Sequence, residues 1–485
     1  MDLATQLGTW ADGGGPLHRK LSEALADAIR RGDLAAGARL PAERTLARNL
    51  AVSRSTVVAA YDHLRSEGWL ESRQGSGTRV KWTAPTSAGT GPGRIAIPNS
   101  SADVIFRRLI EGPGPTISLA AAVFPGAPAV AEAAASFTFD ELADMTATPG
   151  YMPLGLPALR REIAAVHRRH GLPTTEDQVL VTTGAQQAIS LAASLLVNPG
   201  DAVLVENPSF AGCLDALRAA GARPVPVPVD ADGVDVDALA ELADRTSPAA
   251  VYLMPSYHNP TGALLAESRR RRLARLAKER NLPIIEDNAL QFASSSTMQP
   301  PPPIASYEPG APIITLGSVS KVFWAGLRVG WARADEATIG RLVHCKVVHD
   351  LGSPLFGQAV AARLLPDLDD LARQRQRQLA DHMDRAARLL AEHVPDWTWH
   401  PPVGGIALWV KLPMGDGAEF AQVALRHGVE VVPGATMSPD GSFADHLRLA
   451  VIEPPLLDEA IERLGQAWSA YSASTTARPQ LRVIV

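Results

Sequence analysis

Ser318-Val-Ser-Lys-Val-Phe-Trp-Ala-Gly-Leu-Arg-Val-Gly330 is the stretch on which the reading of this chain turns. It sets Lys321 three residues after Ser318 and seven before Arg328, with an apolar strand, Pro312-Ile-Ile-Thr-Leu316, leading in. A lysine that must condense with an aldehyde needs a crowded, desolvated pocket, where its pKa falls and its amine is freed. The hydroxyls of Ser318 and Ser320 and the guanidinium of Arg328 suit a phosphate carried on that aldehyde. Together they point to pyridoxal 5'-phosphate (PLP). An ordinary surface lysine on a loop is the competing reading, and a short motif alone leaves both open.

Outward from this stretch, from about residue 117, short apolar runs alternate with amphipathic helices. Gln178-Val-Leu-Val-Thr182 leads through a glycine turn into a helix at 187–197. Asp201–Glu206, Ala249–Met254 and Leu282–Glu286 are further candidate strands. The alternation predicts βαβ units and a largely parallel sheet with helices on both faces. After about residue 370, a Gln/Arg-rich helix and the strands 406–411 and 446–451 predict a smaller α+β lobe.

Other segments offer the chemistry such a pocket needs, each with a plainer alternative. Gly184, Ala185 and Gln186 follow a strand and open a helix, so their backbone N–H groups face an incoming phosphate at a positive helix end. Phe210 can lie flat on a pyridine ring, or simply be core. Asn259, in His258-Asn-Pro-Thr-Gly262, suits a hydrogen bond to a ring hydroxyl, or an ordinary turn. Asp287 ends a strand at the carboxyl edge where α/β sheets bind ligands. A carboxylate there keeps a ring nitrogen protonated and makes the cofactor an electron sink; its plainer role is a helix cap. Arg448, in a late strand, can grip a carboxylate with two hydrogen bonds or serve a structural ion pair.

The order Gly184, Phe210, Asn259, Asp287, Lys321, Arg328, Arg448 resembles the fold-type I, aspartate-aminotransferase-like family over roughly residues 117–470. That resemblance implies that Lys321 forms the internal aldimine, Asp287 pairs with the pyridinium, and Arg328 with Ser318 and Ser320 holds the phosphate. It implies further that Arg448 binds an effector carboxylate, that Tyr151 reaches the neighbouring subunit's phosphate, and that the protein is a homodimer. The family's tyrosine after the aspartate is absent from Asp287-Asn-Ala-Leu-Gln-Phe292. Its loss removes one hydrogen bond to the ring, worth about 1 kcal/mol net, which puts transamination in more doubt than cofactor attachment.

Residues 1–80 read differently. Leu17, Leu21, Ala24, Leu25, Ala28 and Ile29 share one helical face. Pro41 is expected to open a second helix, with Glu43 in its first turn. Ser53 is placed to cap a third, whose apolar face is Val57, Ala60, Tyr61 and Leu64. Strands flanking Gln74-Gly-Ser-Gly77 make a two-stranded wing. A helix-turn-helix presents the start of its second helix to base edges while neighbouring groups hold phosphates. Arg44, Ser53, Arg54, Ser55, Thr56, Gln74 and Gly75 are the candidate DNA contacts; a different small bundle with solvated arginines is the alternative. Leu40-Pro-Ala-Glu-Arg-Thr-Leu-Ala47, Val52-Ser-Arg-Ser-Thr-Val57 and Glu67-Gly-Trp-Leu70 resemble the winged helix of GntR-type regulators over residues 14–80.

Charge is uneven along the chain. Residues 1–81 carry 12 Lys+Arg against 9 Asp+Glu, a balance of +3, so with a total of -5 the remainder carries -8. A basic head on an acidic body suits a nucleic-acid partner. Cys213 and Cys345 are the only cysteines, too few for a disulfide framework or a zinc site. No secretory leader pattern and no apolar run of 18 residues occurs, so a cytoplasmic protein without a membrane partner is expected.

The expected fold is an N-terminal winged helix-turn-helix (1–80) and a Pro/Gly/Ser/Thr-rich linker (81–116). Then come a large PLP-dependent transferase fold type I α/β domain (117–369) and a small C-terminal α+β lobe (370–485). The two halves together resemble the MocR-type subfamily of GntR regulators, with the YczR-like branch nearest in pattern. The function this implies is PLP-dependent transcription regulation: double-stranded DNA as partner, and PLP or an amino-acid-like amine as effector. The alternative is a working aminotransferase whose head only localises it.

Overall fold

The computed structural model describes residues 15–31, 33–73, 77–81, 114–122, 124–295 and 297–476, with Leu3, Leu7, Trp10 and Ala11 besides. Most of the expected linker, and the wing tip with Gln74 and Gly75, lie outside these.

The head contains α1 (Leu17–Arg31), α2 (Glu43–Asn49), α3 (Arg54–Ser66), β1 (Leu70–Arg73) and β2 (Gly77–Val80). Leu21, Leu25, Leu46, Leu50, Val57, Ala60, Tyr61 and Leu64 close its core completely. Ser53 caps α3, its hydroxyl accepting from the Thr56 N–H at 3.1 Å. The strands pair antiparallel, from Leu70 opposite Val80 to Arg73 opposite Gly77. Pro41 does not open α2: Ala42 is the N-cap, and the Pro41 carbonyl accepts from the buried Tyr61 hydroxyl at 3.0 Å.

The body is built on eight strands: β4 (Val179–Thr182), β5 (Ala202–Asn207), β6 (Arg223–Asp230), β7 (Gly233–Val234), β8 (Ala250–Leu253), β9 (Ile284–Asp287), β10 (Ile313–Ser318) and β11 (Gly330–Arg333). Their order is β4-β11-β10-β9-β8-β5-β6-β7. The run β10-β9-β8-β5-β6 is parallel, while β11 is antiparallel to both its neighbours. Alternate residues feed two separate cores. Val203, Val205, Tyr252 and Ile285 pack into one; Leu204, Val251 and Ile284 pack into the other. Burial on both faces is why these strands read as continuous apolar runs.

The small lobe has a four-stranded antiparallel sheet of β12 (Thr398–Trp399), β13 (Ala407–Lys411), β16 (His446–Ala450) and β15 (Val432–Pro433), in that order. Trp397, Phe420 and Trp468 fill its core edge to face, with centroids 5.4–5.6 Å apart. Residues 117–119, expected to begin the large domain, pack here instead. β3 (Ile117–Ser118) pairs in parallel with β14 (Val429–Glu430), and Ile117 and Leu119 enter the small-lobe core. The helix Leu368–His393 joins both lobes: Leu368 and Leu379 serve the large core, Met383 and Leu390 the small one.

The head rests on the small lobe. Arg426, at the end of the helix Gly417–Arg426, donates to the carbonyls of Leu50 and Ala51 at 2.8 and 2.9 Å. Those carbonyls end α2, and Ala51, in the left-handed region (φ 49°), turns the chain toward α3 and packs against the lobe's core.

Candidate functional site

The carboxyl ends of the parallel strands, the loop after β10 and one edge of the small lobe enclose a cavity of about 250 Å³. Gly184, Ala185, Gln186, Phe210, Asn259, Asp287, Ser318, Ser320, Lys321, Arg328 and Arg448 all line it, although the sequence scatters them over more than 260 residues. The remaining lining is apolar, with Ala120, Ala121, Ala122, Met254, Leu290 and Ile406.

Lys321 lies just past β10, and its Nζ donates to the Ala122 carbonyl at 2.6 Å. Burial first, then the nearby Arg448 and Arg328 charges, lowers its amine to about 8. Among the described residues no carboxylate pairs with Lys321, and a carbonyl tether alone keeps that amine available to an aldehyde.

The phosphate-sized corner is made by three elements. Gly184 (φ 83°) caps the helix Ala185–Leu196, whose first N–H groups lack intrahelical acceptors. A Cβ at Gly184 would sit 2.9 Å from Nη2 of Arg328 and push that guanidinium aside, and the positive φ favours glycine in any case. Arg328 is itself left-handed (φ 52°) and donates to the Thr183 carbonyl at 2.9 Å. The Ser318 and Ser320 hydroxyls stand 3.0 Å apart beside it.

At the opposite end, Asp287 is almost fully buried. The Tyr252 hydroxyl donates to its Oδ2 at 2.7 Å and the Ala289 N–H to its Oδ1 at 2.9 Å. Burial raises its pKa, against the pull of those two hydrogen bonds. Phe210 stands at the start of the helix Ala211–Ala219, on the wall. Asn259 Oδ1 accepts from Arg448 Nε at 2.9 Å, and Arg448 Nη1 donates to the Ala120 carbonyl at 2.7 Å. Arg448 is 3 % exposed, and burial brings its guanidinium down to about 10. Among the described residues no carboxylate pairs with it, so an anion entering the cavity would find a desolvated guanidinium already held in place.

The donor set fits PLP: an aldehyde-reactive lysine, a phosphate cradle that a Cβ would fill, and a buried carboxylate for a ring nitrogen. Tyr151 lies elsewhere, 71 % exposed and outside this cavity. Its neighbour Met152 backs onto Gly352, next to the exposed Leu351. The sequence reading missed Tyr252 and the carbonyls of Ala120 and Ala122. The phenol sat inside an apolar run, and a carbonyl leaves no sequence signal.

On the head, Ser53, Arg54 and Ser55 are exposed and Thr56 is half-buried at the start of α3, and Arg44 is exposed in the first turn of α2. The Ser53 hydroxyl bonds those of Ser55 and Thr56 at 2.7 and 2.8 Å. Arg54 is held by Glu43 through its Nε and Nη2, at 3.3 and 3.0 Å from Oε2.

Comparison with known proteins agrees with both halves. Residues 115–464 match the aminotransferase class I and II family, and residues 17–80 match the bacterial regulatory proteins of the gntR family. The probable rhizopine catabolism regulatory protein MocR of Rhizobium meliloti is 33% identical over 480 residues, 95% of each chain. The HTH-type transcriptional regulator YisV of Bacillus subtilis is 30% identical over 453 residues, covering 90% of this chain and 92% of its own. Among solved structures, LysN, the alpha-aminoadipate aminotransferase of Thermus thermophilus complexed with N-(5'-phosphopyridoxyl)-L-leucine, superposes with TM-score 0.67 at 31% identity. That match covers 76% of this chain and 95% of LysN. The chain belongs to the aminotransferase class I and II family and carries a gntR-family head, in the manner of the MocR-type regulators.

Proposed function

With that membership as premise, we propose that this protein is a PLP-dependent transcription regulator in which the occupancy of the aminotransferase-like pocket sets the affinity of the head for DNA. The observation that carries the reading is the meeting in one cavity of Lys321, Asp287, the Gly184–Arg328 cradle and a buried Arg448 without a carboxylate partner. Lys321 would hold the cofactor, Arg328, Ser318, Ser320 and the helix start its phosphate, and Asp287 its ring nitrogen. Asn259 and Phe210 would orient the ring. Bound there, the cofactor supplies an electron-withdrawing ring and an aldehyde carbon that exchanges between amines. Arg448 selects effectors that bear a carboxylate.

The route to DNA supports the same reading. Arg448 lies on β16, which pairs with β15, and both belong to the lobe on which the helix Gly417–Arg426 packs. That helix grips the turn between α2 and α3 through Arg426. A ligand that prefers one lobe position over another thereby biases the head by its difference in affinity for the two. Double-stranded DNA would be read by Arg54, Ser53, Ser55 and Thr56, with Arg44 and the wing residues Gln74 and Gly75 as supports. A second copy of the chain would cover Phe139, Tyr151, Val348, Leu351 and Phe356, large apolar residues left exposed here. In that homodimer Tyr151 would reach the partner's phosphate corner.

The test is a titration of the purified protein on the DNA upstream of its own gene, at one fixed salt concentration, with PLP and candidate amino acids. An affinity that moves with PLP, and again with a carboxylate-bearing amine, supports the proposal. Unchanged affinity contradicts it. The completeness of the pocket also supports a second reading, slow transamination, which steady consumption of an amino donor and a keto acid would reveal. Among the described residues no helix is long and apolar enough to cross a membrane.

A further inference from the structure

Beneath the floor of the cavity lies a buried polar group that the proposed roles leave unused. Glu206 ends the interior of β5, 1 % exposed, and accepts from the Met254 N–H at 2.6 Å. His258 Nε2 stands 3.5 Å from the same carboxyl oxygen. Burial pushes Glu206 up to about 8 and His258 down to about 3, which favours the neutral form of each. Tyr252, on β8 between β5 and β9, and Cys213, on the helix above, complete the cluster around Asp287. Burial raises both, so neither carries charge.

Glu206 and Asp287 are both buried and their charges repel, so both cannot ionise cheaply. Their hydrogen bonds decide which one does. An ionised carboxylate only accepts, whereas a protonated one must also donate. Asp287 meets a donor at each oxygen, the Tyr252 hydroxyl and the Ala289 N–H. Glu206 accepts one backbone N–H, on Oε2. The Tyr252 phenol, on the adjacent strand, bonds the Asp287 carboxylate itself, a different role from that of the ring-bonding tyrosine missing after Asp287.

We infer that Tyr252 is a positioning residue: its hydroxyl places the negative charge that Glu206 and Asp287 compete for on Asp287, where it faces the cofactor's ring nitrogen, and leaves Glu206 protonated. The inference rests on the PLP reading above and adds to it a residue that touches neither cofactor nor effector.

The test compares wild type, Tyr252→Phe and, as a control, Tyr257→Phe, whose hydroxyl serves the Met298 carbonyl instead. Each is loaded with PLP, and its visible absorbance is followed against pH together with PLP retention on dialysis. A ring nitrogen that loses its proton withdraws less electron density from the bond to Lys321. In Tyr252→Phe the titration midpoint should therefore rise by about one pH unit and retention fall about tenfold, while the control matches wild type. A midpoint and retention equal to wild type in a folded Tyr252→Phe overturn the assignment. Should that variant fail to fold, Glu206→Gln decides. A midpoint that stays at the wild-type value supports a protonated Glu206, and one that moves contradicts it. Wild type that gains no visible absorbance with PLP would instead sink the cofactor reading itself.

Discussion

Asp287 and Arg448 are almost fully buried, and each already has two protein partners, whereas Arg44, Ser53, Arg54 and Ser55 stand in solvent at the starts of α2 and α3. Asp287 and Arg448 are thus held in place by the protein itself, away from bulk water. Electrostatic interactions made there are strong and weakly screened. The head keeps its groups hydrated and loosely paired, Arg54 with Glu43 being the clearest case. Such a surface gains affinity by neutralising phosphates and releasing counterions, and is therefore sensitive to salt. One region is specific and slow to change; the other is adjustable, and a small movement of its support is enough to alter it.

The sharpest break between the two regions is expected from Lys321→Ala. It should abolish the visible absorbance of PLP-loaded protein entirely while leaving the head folded, as absorbance and circular dichroism would show. Arg54→Ala should do the reverse. Loss of a base-edge contact weakens specific DNA binding by about 5- to 150-fold, with the cofactor absorbance unchanged. Equal losses on specific and unrelated DNA would reassign Arg54 to phosphate holding.

The pocket's dependence on pH follows from Lys321. Its neutral amine is the form that attacks an aldehyde, and its pKa is lowered to about 8. The rate of PLP attachment to apo-protein should rise about tenfold per pH unit below that value and level off above it, read by stopped-flow absorbance. A flat profile from pH 6 to 9 would mean that the amine is already neutral or that another step limits. The smallest effect should come from Arg426→Ala, where the two regions meet. Removing that grip should leave PLP and DNA binding individually near wild type and reduce the effector's influence on DNA affinity by about 2- to 30-fold.

What the sequence made legible follows the same division. Asn259 with its Pro-Thr-Gly, Asp287 at a strand end and the Ser318–Arg328 loop each pass singly for a turn, a cap or a loop, and only their order along the chain made the pocket legible. The head was legible because its elements are local: Ser53 caps α3 within three residues, and the wing pairs across a short turn. Tyr252 was hidden because a strand buried on both faces sets it among aliphatic neighbours, and only the register of β8 beside β9 brings its hydroxyl to Asp287. β6 was passed over because Pro224, Pro226 and Pro228 argue against a strand; being alternate, their missing N–H groups all face the side away from β5. Pro41 was misplaced because a proline just before a cap looks, in sequence, like one just after it. The grip of Arg426 on Leu50 and Ala51 joins residues over 370 apart through backbone carbonyls, which any residue supplies.

The central claim is that the head responds to what Lys321 holds. Operator affinity of wild type and Lys321→Ala, each with and without PLP at the same salt concentration, measures this directly. A change with PLP in wild type that vanishes in Lys321→Ala is the predicted result. An equal PLP response in both proteins would contradict the account.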